Sequence, residues 1–243
     1  MGLDIYVGPL CRYYAGAWQT VVQQWGEREG IPVNVVRPKG SGLGAVWQKM
    51  LACLTIRRST DPIAIVRTWR NELAAQGRFG SGEDWSWPES LEVAYETDKP
   101  NFDGYGAVQL WAAYAERPLV QKPTDFSNDW TADPMFAQVN LAPSEFGHPI
   151  GPELWLPVSF DEVFEAEEPN GNRPKIGSVF AMLRQLRRLN QISWNAPEDT
   201  VRQWRRDDYN PESFESIARW GFSIWFCLAE SAASKRLPMR LDY

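Results

Sequence analysis

Hydrophobic and polar positions change period several times along this chain, and each change marks an element. Leu3-Asp4-Ile5-Tyr6-Val7 alternates in period two, which predicts a strand with Leu3, Ile5 and Val7 on one face and Asp4 and Tyr6 on the other. Gly8-Pro9 ends it. From Tyr14 to Arg28 the apolar spacing turns helical, with Trp18, Val21, Val22 and Trp25 on one face and Gly30 as the stop. Val33 to Val36 is a second predicted strand, so the chain opens in β-α-β order with a right-handed parallel pairing. An apolar stretch from Ala45 to Ile56 predicts a helix. Asp61-Pro62 then sets an N-cap before a proline at the first helical position, for a helix reaching Gln76.

A strand follows at Leu91–Tyr95, and Asp103 caps a helix from Tyr105 to Glu116 that Pro118 ends. Residues 118–152 lack periodicity but carry Phe126, Trp130, Met135 and Phe136, which predicts a long ordered loop with short helical turns. Strands are expected at Glu153–Val158 and Val163–Glu168, the latter forming a hairpin with Arg173–Ser178 across Pro169-Asn170-Gly171-Asn172. Helices are predicted at 179–190, 198–207 and 211–235. In the last, Phe214, Ile217, Ala218, Gly221, Ile224, Trp225 and Leu228 share one broad face. Pro238 stops any helix, and Leu237, Met239 and Leu241 around it alternate as an edge strand would. The pattern predicts one domain over 1–243, α/β or α+β, with a mixed sheet packed by several helices and a long C-terminal core helix.

Composition narrows the class. Hydrophobic residues make up 44% of the 243, which excludes disorder, and thirteen tryptophans imply large rings at the core boundary. Cys11, Cys53 and Cys227 are odd in number and far apart, so neither a disulfide framework nor a thiolate metal site is expected. His148 is the only histidine, which excludes His-rich metal sites and most triad chemistry. No leader is visible, Tyr6 stands where myristoylation needs Ser or Thr, and the apolar run Trp220–Ala229 is too short for a bilayer. A soluble, cytoplasmic protein without a membrane partner is expected.

Charge changes the picture most. Residues 1–80 carry a net +5, residues 81–170 a net −15 and residues 171–243 a net +4, which together make the overall −6. The acidic middle predicts a surface that steers association with a basic protein partner. Arg184, Arg187, Arg188, Arg202, Arg205 and Arg206 cluster late in the chain. With an overall pI near 5.0 they are expected to face the acidic middle, or a second copy of the chain, instead of nucleic acid.

Three segments could carry chemistry. Gly40-Ser41-Gly42-Leu43-Gly44-Ala45 fits G-x-G-x-x-A, but Pro38-Lys39 lengthens the turn and Asp61 reads as a helix cap, so no nucleotide or other cofactor is expected. Asp98 and Asp103 could act as an acid/base pair or bind a divalent ion, and they also suit a turn and a helix cap. Arg12 could grip an anion while Tyr13 or Tyr14 donates a hydrogen bond, or it could pair with Asp4. Met1-Gly2-Leu3-Asp4-Ile5-Tyr6-Val7-Gly8-Pro9-Leu10-Cys11-Arg12-Tyr13-Tyr14, and Thr97-Asp98-Lys99-Pro100 with Asp103-Gly104-Tyr105, resemble a group of uncharacterised bacterial proteins. The resemblance implies a bacterial origin and no particular activity. Two functions are therefore expected to compete. One is an inhibitor or immunity-like binding protein using the acidic 81–170 surface. The other is an enzyme for a small or phosphorylated substrate, its cleft built from Asp4, Arg12, Tyr13, Asp98 and Asp103.

Overall fold

Local signals set the helix ends. In the computed structural model, which describes residues 3–33, 61–76, 84–127, 129–139 and 144–242, Thr20 and Gln23 close a capping box at the start of one helix. Asp61 accepts from the Ile63 N–H at the start of another, and Ser178 and Ser213 cap two more. The predicted strand at 33–36, the Gly40–Ala45 segment and the predicted helix at 45–56 lie outside the described residues, Val33 apart.

The helices are α1 (Leu10–Tyr14), α2 (Val21–Glu29), α3 (Pro62–Ala75), α4 (Asn101–Ala115), α5 (Pro134–Val139), α6 (Val179–Ser193), α7 (Glu198–Trp204) and α8 (Phe214–Lys235). The strands are β1 (Asp4–Val7), β2 (Glu96–Asp98), β3 (Leu154–Leu156), β4 (Phe164–Glu165), β5 (Lys175–Ser178) and β6 (Met239–Asp242). They form one mixed sheet in the order β2-β1-β6-β3-β5-β4, in which β3 and β5 are parallel and the other neighbours antiparallel. The fold is α+β.

Strand alternation sorts the two faces of that sheet. Ile5, Val7, Trp155, Met239 and Leu241 point into a core shared with α4, α6 and α8, where all seven predicted positions of the last helix are buried. Leu154, Leu156 and Ile176 point the other way, onto Leu10 of α1 and Val66, Trp69 and Leu73 of α3. On that second face, at the β1–β6 end, stand Asp4, Tyr6, Arg240 and Asp242 in register.

Three local expectations are corrected. The single helix predicted over 14–28 is two, because Gly16 turns left-handed (φ 67°) and Thr20 starts a new cap. Val22 and Trp25 are then exposed (38% and 46%) instead of facing the core. The strand expected at 91–95 is β2 at 96–98, since the Val93 carbonyl is taken by the Arg12 guanidinium. The tail is no edge strand: β6 lies between β1 and β3 in the middle of the sheet. The 118–152 segment has the expected short turns, a 3₁₀ turn at Trp130–Ala132 and α5. The hairpin is formed by β4 and β5, with Gly171 left-handed (φ 85°) at its turn.

Candidate functional site

β1 and β2 are antiparallel, with Ile5 opposite Asp98. Asp98 therefore shares the face of Ile5, and Asp4 looks out of the other face. That separates the five residues expected to form one cleft. Asp98 is bound on the helical side by Arg205, at 2.6 Å, and accepts from the Lys99 N–H. Asp103 sits half-buried in the first turn of α4, inside the helix it was expected to cap.

Asp4, Arg12 and Tyr13 do converge, on the opposite face, although not as an Asp4–Arg12 pair. Asp4 is buried and accepts from the Val21 N–H at 3.0 Å, fastening the start of α2 to the sheet. Its pKa is raised, first by burial and then by the neighbouring Asp242 and Asp98 carboxylates, with the Val21 N–H and Lys99 opposing. The Arg12 guanidinium donates to the carbonyls of Ala17 and Val93, each at 2.7 Å, and lies 4.8 Å over the Tyr95 ring. Tyr13 donates to Asp242 at 2.6 Å and stacks on Trp18. Burial pushes its pKa up to about 12, which makes the hydroxyl a donor and not a phenolate.

The sequence reading missed the centre of this patch. Arg240 of β6 pairs with Glu168, both buried, and lies 4.8 Å over the Tyr13 ring. Tyr14 donates to the same Glu168 carboxylate at 3.0 Å. Burial works against the Arg240 charge, but Glu168 outweighs it, and the guanidinium pKa is raised. The signal was present: in a tail whose Met239 and Leu241 face the core, Arg240 must point the other way and find a partner. A second missed carboxylate, buried Glu89, accepts from the Leu10 and Cys11 N–H groups at the start of α1 and from the Trp87 indole. These groups are consumed in holding loops and helices to the sheet.

The charge segregation resolves into two layers. Of the ion pairs among the described residues, half join an acid of 81–170 to a base of 171–243. These are Asp84–Arg236, Glu96–Lys235, Asp98–Arg205, Glu145–Arg188, Asp161–Arg184 and Glu168–Arg240. Arg187 and Arg202 instead pair with Glu198 and Glu230 on α7 and α8. Five of the six clustered arginines thus face acids of their own chain, and Arg206 is in no ion pair among the described residues. Two open hollows of about 660 and 430 Å³ meet at Arg187, and Cys227 in the larger has its thiol pKa raised by burial.

Other carboxylates of the middle segment are exposed and are in no ion pair among the described residues: Glu92, Asp125, Asp129, Glu162, Glu165 and Glu167. Glu165 is in β4, the edge strand, and Glu162 and Glu167 flank it. Lys99, Arg117 and Lys122, the bases of the same segment, are half-buried, Lys122 lying 4.6 Å over the Trp111 ring.

His148 lies under this edge and is buried (1% exposed). Its Nδ1 accepts from the Ser178 N–H and its Nε2 meets the Asp161 carbonyl, both at 2.9 Å. A backbone N–H can only donate and a carbonyl can only accept, so the ring is neutral with its proton on Nε2. Burial lowers its pKa below the ordinary 6.5.

No group of three His, Cys, Asp or Glu side chains among the described residues could hold a metal ion, and no helix there is long and apolar enough to cross a membrane. Comparison with protein-family models, curated proteins and solved structures finds no match.

Proposed function

We propose that this is a cytosolic bacterial binding protein of the inhibitor or immunity kind, which presents carboxylates of residues 81–170 to a basic protein partner. The observation that carries the reading is the asymmetry within that segment: among the described residues, six exposed carboxylates stand outside any ion pair and the three bases are half-buried. Exposed like charges steer an oppositely charged partner over a Debye length, about 8–10 Å at ordinary ionic strength. Glu162, Glu165 and Glu167 make the densest part of this surface, on a rigid sheet edge. The competing enzyme reading loses its support from the same geometry, since the sheet divides Asp98 from Asp4, Arg12 and Tyr13.

The test is capture of partners from the source bacterium on the immobilised protein, followed by a salt gradient. The expected result is a basic protein whose retention weakens steeply with salt. Retention that is indifferent to salt, or a partner without basic character, would remove the basis for the proposal.

A further inference from the structure

Resting on that reading of the acidic edge, we infer that His148 is an acid-operated latch, whose protonation breaks its hold on the Ser178 N–H and so loosens the β5–α6 junction that steadies the segment carrying Glu162, Glu165 and Glu167. The latch joins three pieces of chain through one ring. Nδ1 holds the Ser178 N–H at the junction of β5 and α6, and Nε2 holds the Asp161 carbonyl just before β4. The backbone of His148 itself accepts from the Trp155 indole and donates to Gln185.

A second proton can enter only at Nδ1, where it would confront the Ser178 N–H, donor against donor. The ring has little room to turn away: a Cβ on Gly177 would already stand 3.0 Å from Nδ1 and 2.8 Å from Trp155. Ser178 cannot yield cheaply either. Its hydroxyl donates to the Val158 carbonyl at 2.6 Å and accepts from the Ala181 N–H that starts α6.

The clash therefore costs the contacts of Ser178, including its hydroxyl bond to the Val158 carbonyl at the start of the 158–165 segment, while the Nε2–H bond to the Asp161 carbonyl is kept. The charged groups that face the ring are Asp161 and Arg184, an ion pair at 2.5 Å. Asp161 favours the protonated ring through both its carbonyl and its carboxylate, Arg184 opposes it, and desolvation, the largest influence, sets the downward direction. The β5–α6 junction is therefore held at neutral pH and loosened in acid.

With a single histidine, the imidazole nitrogen signals of the wild-type protein report the latch directly, without any partner. The expected spectrum at pH 7 shows Nδ1 bare and Nε2 protonated, with titration below pH 6.5. Amide exchange at Ser178 and across 158–165, corrected for intrinsic rates, should rise in the same interval, by about tenfold for each unit of pKa depression. His148→Asn keeps an acceptor for the Ser178 N–H but cannot titrate, and its exchange should show no step. A proton on Nδ1 at pH 7, titration without a change at Ser178, or a step that survives in His148→Asn would overturn the inference. Partner capture plays no part in these measurements, so the latch and the carboxylate surface fail independently.

Discussion

Gly104 of α4 and Gly221 of α8 meet backbone to backbone: a Cβ on Gly221 would stand 2.4 Å from the Gly104 carbonyl oxygen. This closeness lets the two helices pack over the first face of the sheet. Alanine improves helix propensity by about 1 kcal/mol in an exposed helix. Here the steric cost wins, and Gly221→Ala should destabilise by about 1–3 kcal/mol, read as a lowered denaturation midpoint. An unchanged or higher midpoint would show that the helices can part without loss.

The same helix carries one of the two largest fully buried side chains near its centre. Trp225 is fully buried, edge-on to Trp155 at 5.2 Å and stacked on Tyr105 at 5.8 Å. Trp225→Ala should cost about 3–5 kcal/mol, a large part of a domain's usual stability.

Glu168 and Arg240 should prove costly to separate and cheap to replace together. Breaking a buried ion pair leaves one uncompensated charge, a loss of about 3–5 kcal/mol, whereas a matched apolar pair is often neutral. Glu168→Gln should therefore destabilise strongly, and Glu168→Leu with Arg240→Met should recover most of the loss. Denaturant titrations of the three variants make the comparison. Because β6 joins β1 to β3, deletion of residues 239–242 should abolish folding altogether.

How far the sequence could be read follows from what each element depends on. The helix at 62–75, the hairpin at 164–178 and the buried face of α8 were legible because caps, a turn glycine and periodicity act locally. Strand neighbours are set by distant pairings, so nothing near the tail announced that β6 would fill the centre of the sheet. The candidate site was half legible for the same reason. Asp4, Arg12 and Tyr13 lie close in sequence and do converge, while Asp98, far along the chain, is set opposite Ile5 by the β1–β2 register and so faces the other side of the sheet. Glu168 and Arg240, 72 positions apart, became partners only through the fold.

Asp4 gives a pH-dependent prediction with a definite sign. Its pKa is raised in the folded state above the ordinary 3.8, so the folded protein binds the extra proton more readily than the unfolded chain. Its contribution is most favourable below pH 3.8 and is lost as pH rises through the folded value. Asp4→Asn keeps an oxygen to accept from the Val21 N–H and removes the charge. The stability of Asp4→Asn relative to wild type should rise from pH 3.5 toward 7, measured by denaturant midpoints at each pH. A difference that stays flat would mean that Asp4 is not held in a charge-averse place.

The carboxylate surface is tested most directly by the association rate of the captured basic partner with Glu162→Lys/Glu165→Lys/Glu167→Lys, measured against wild type at low salt. Glu27→Lys/Glu29→Lys/Glu72→Lys, at exposed positions of α2 and α3, serves as the charge-matched control. The prediction is a rate lowered by about tenfold or more in the triple variant, little changed in the control, with the difference closing as salt is raised. Equal rates for the triple variant and wild type, or an equal loss in the control, would contradict it.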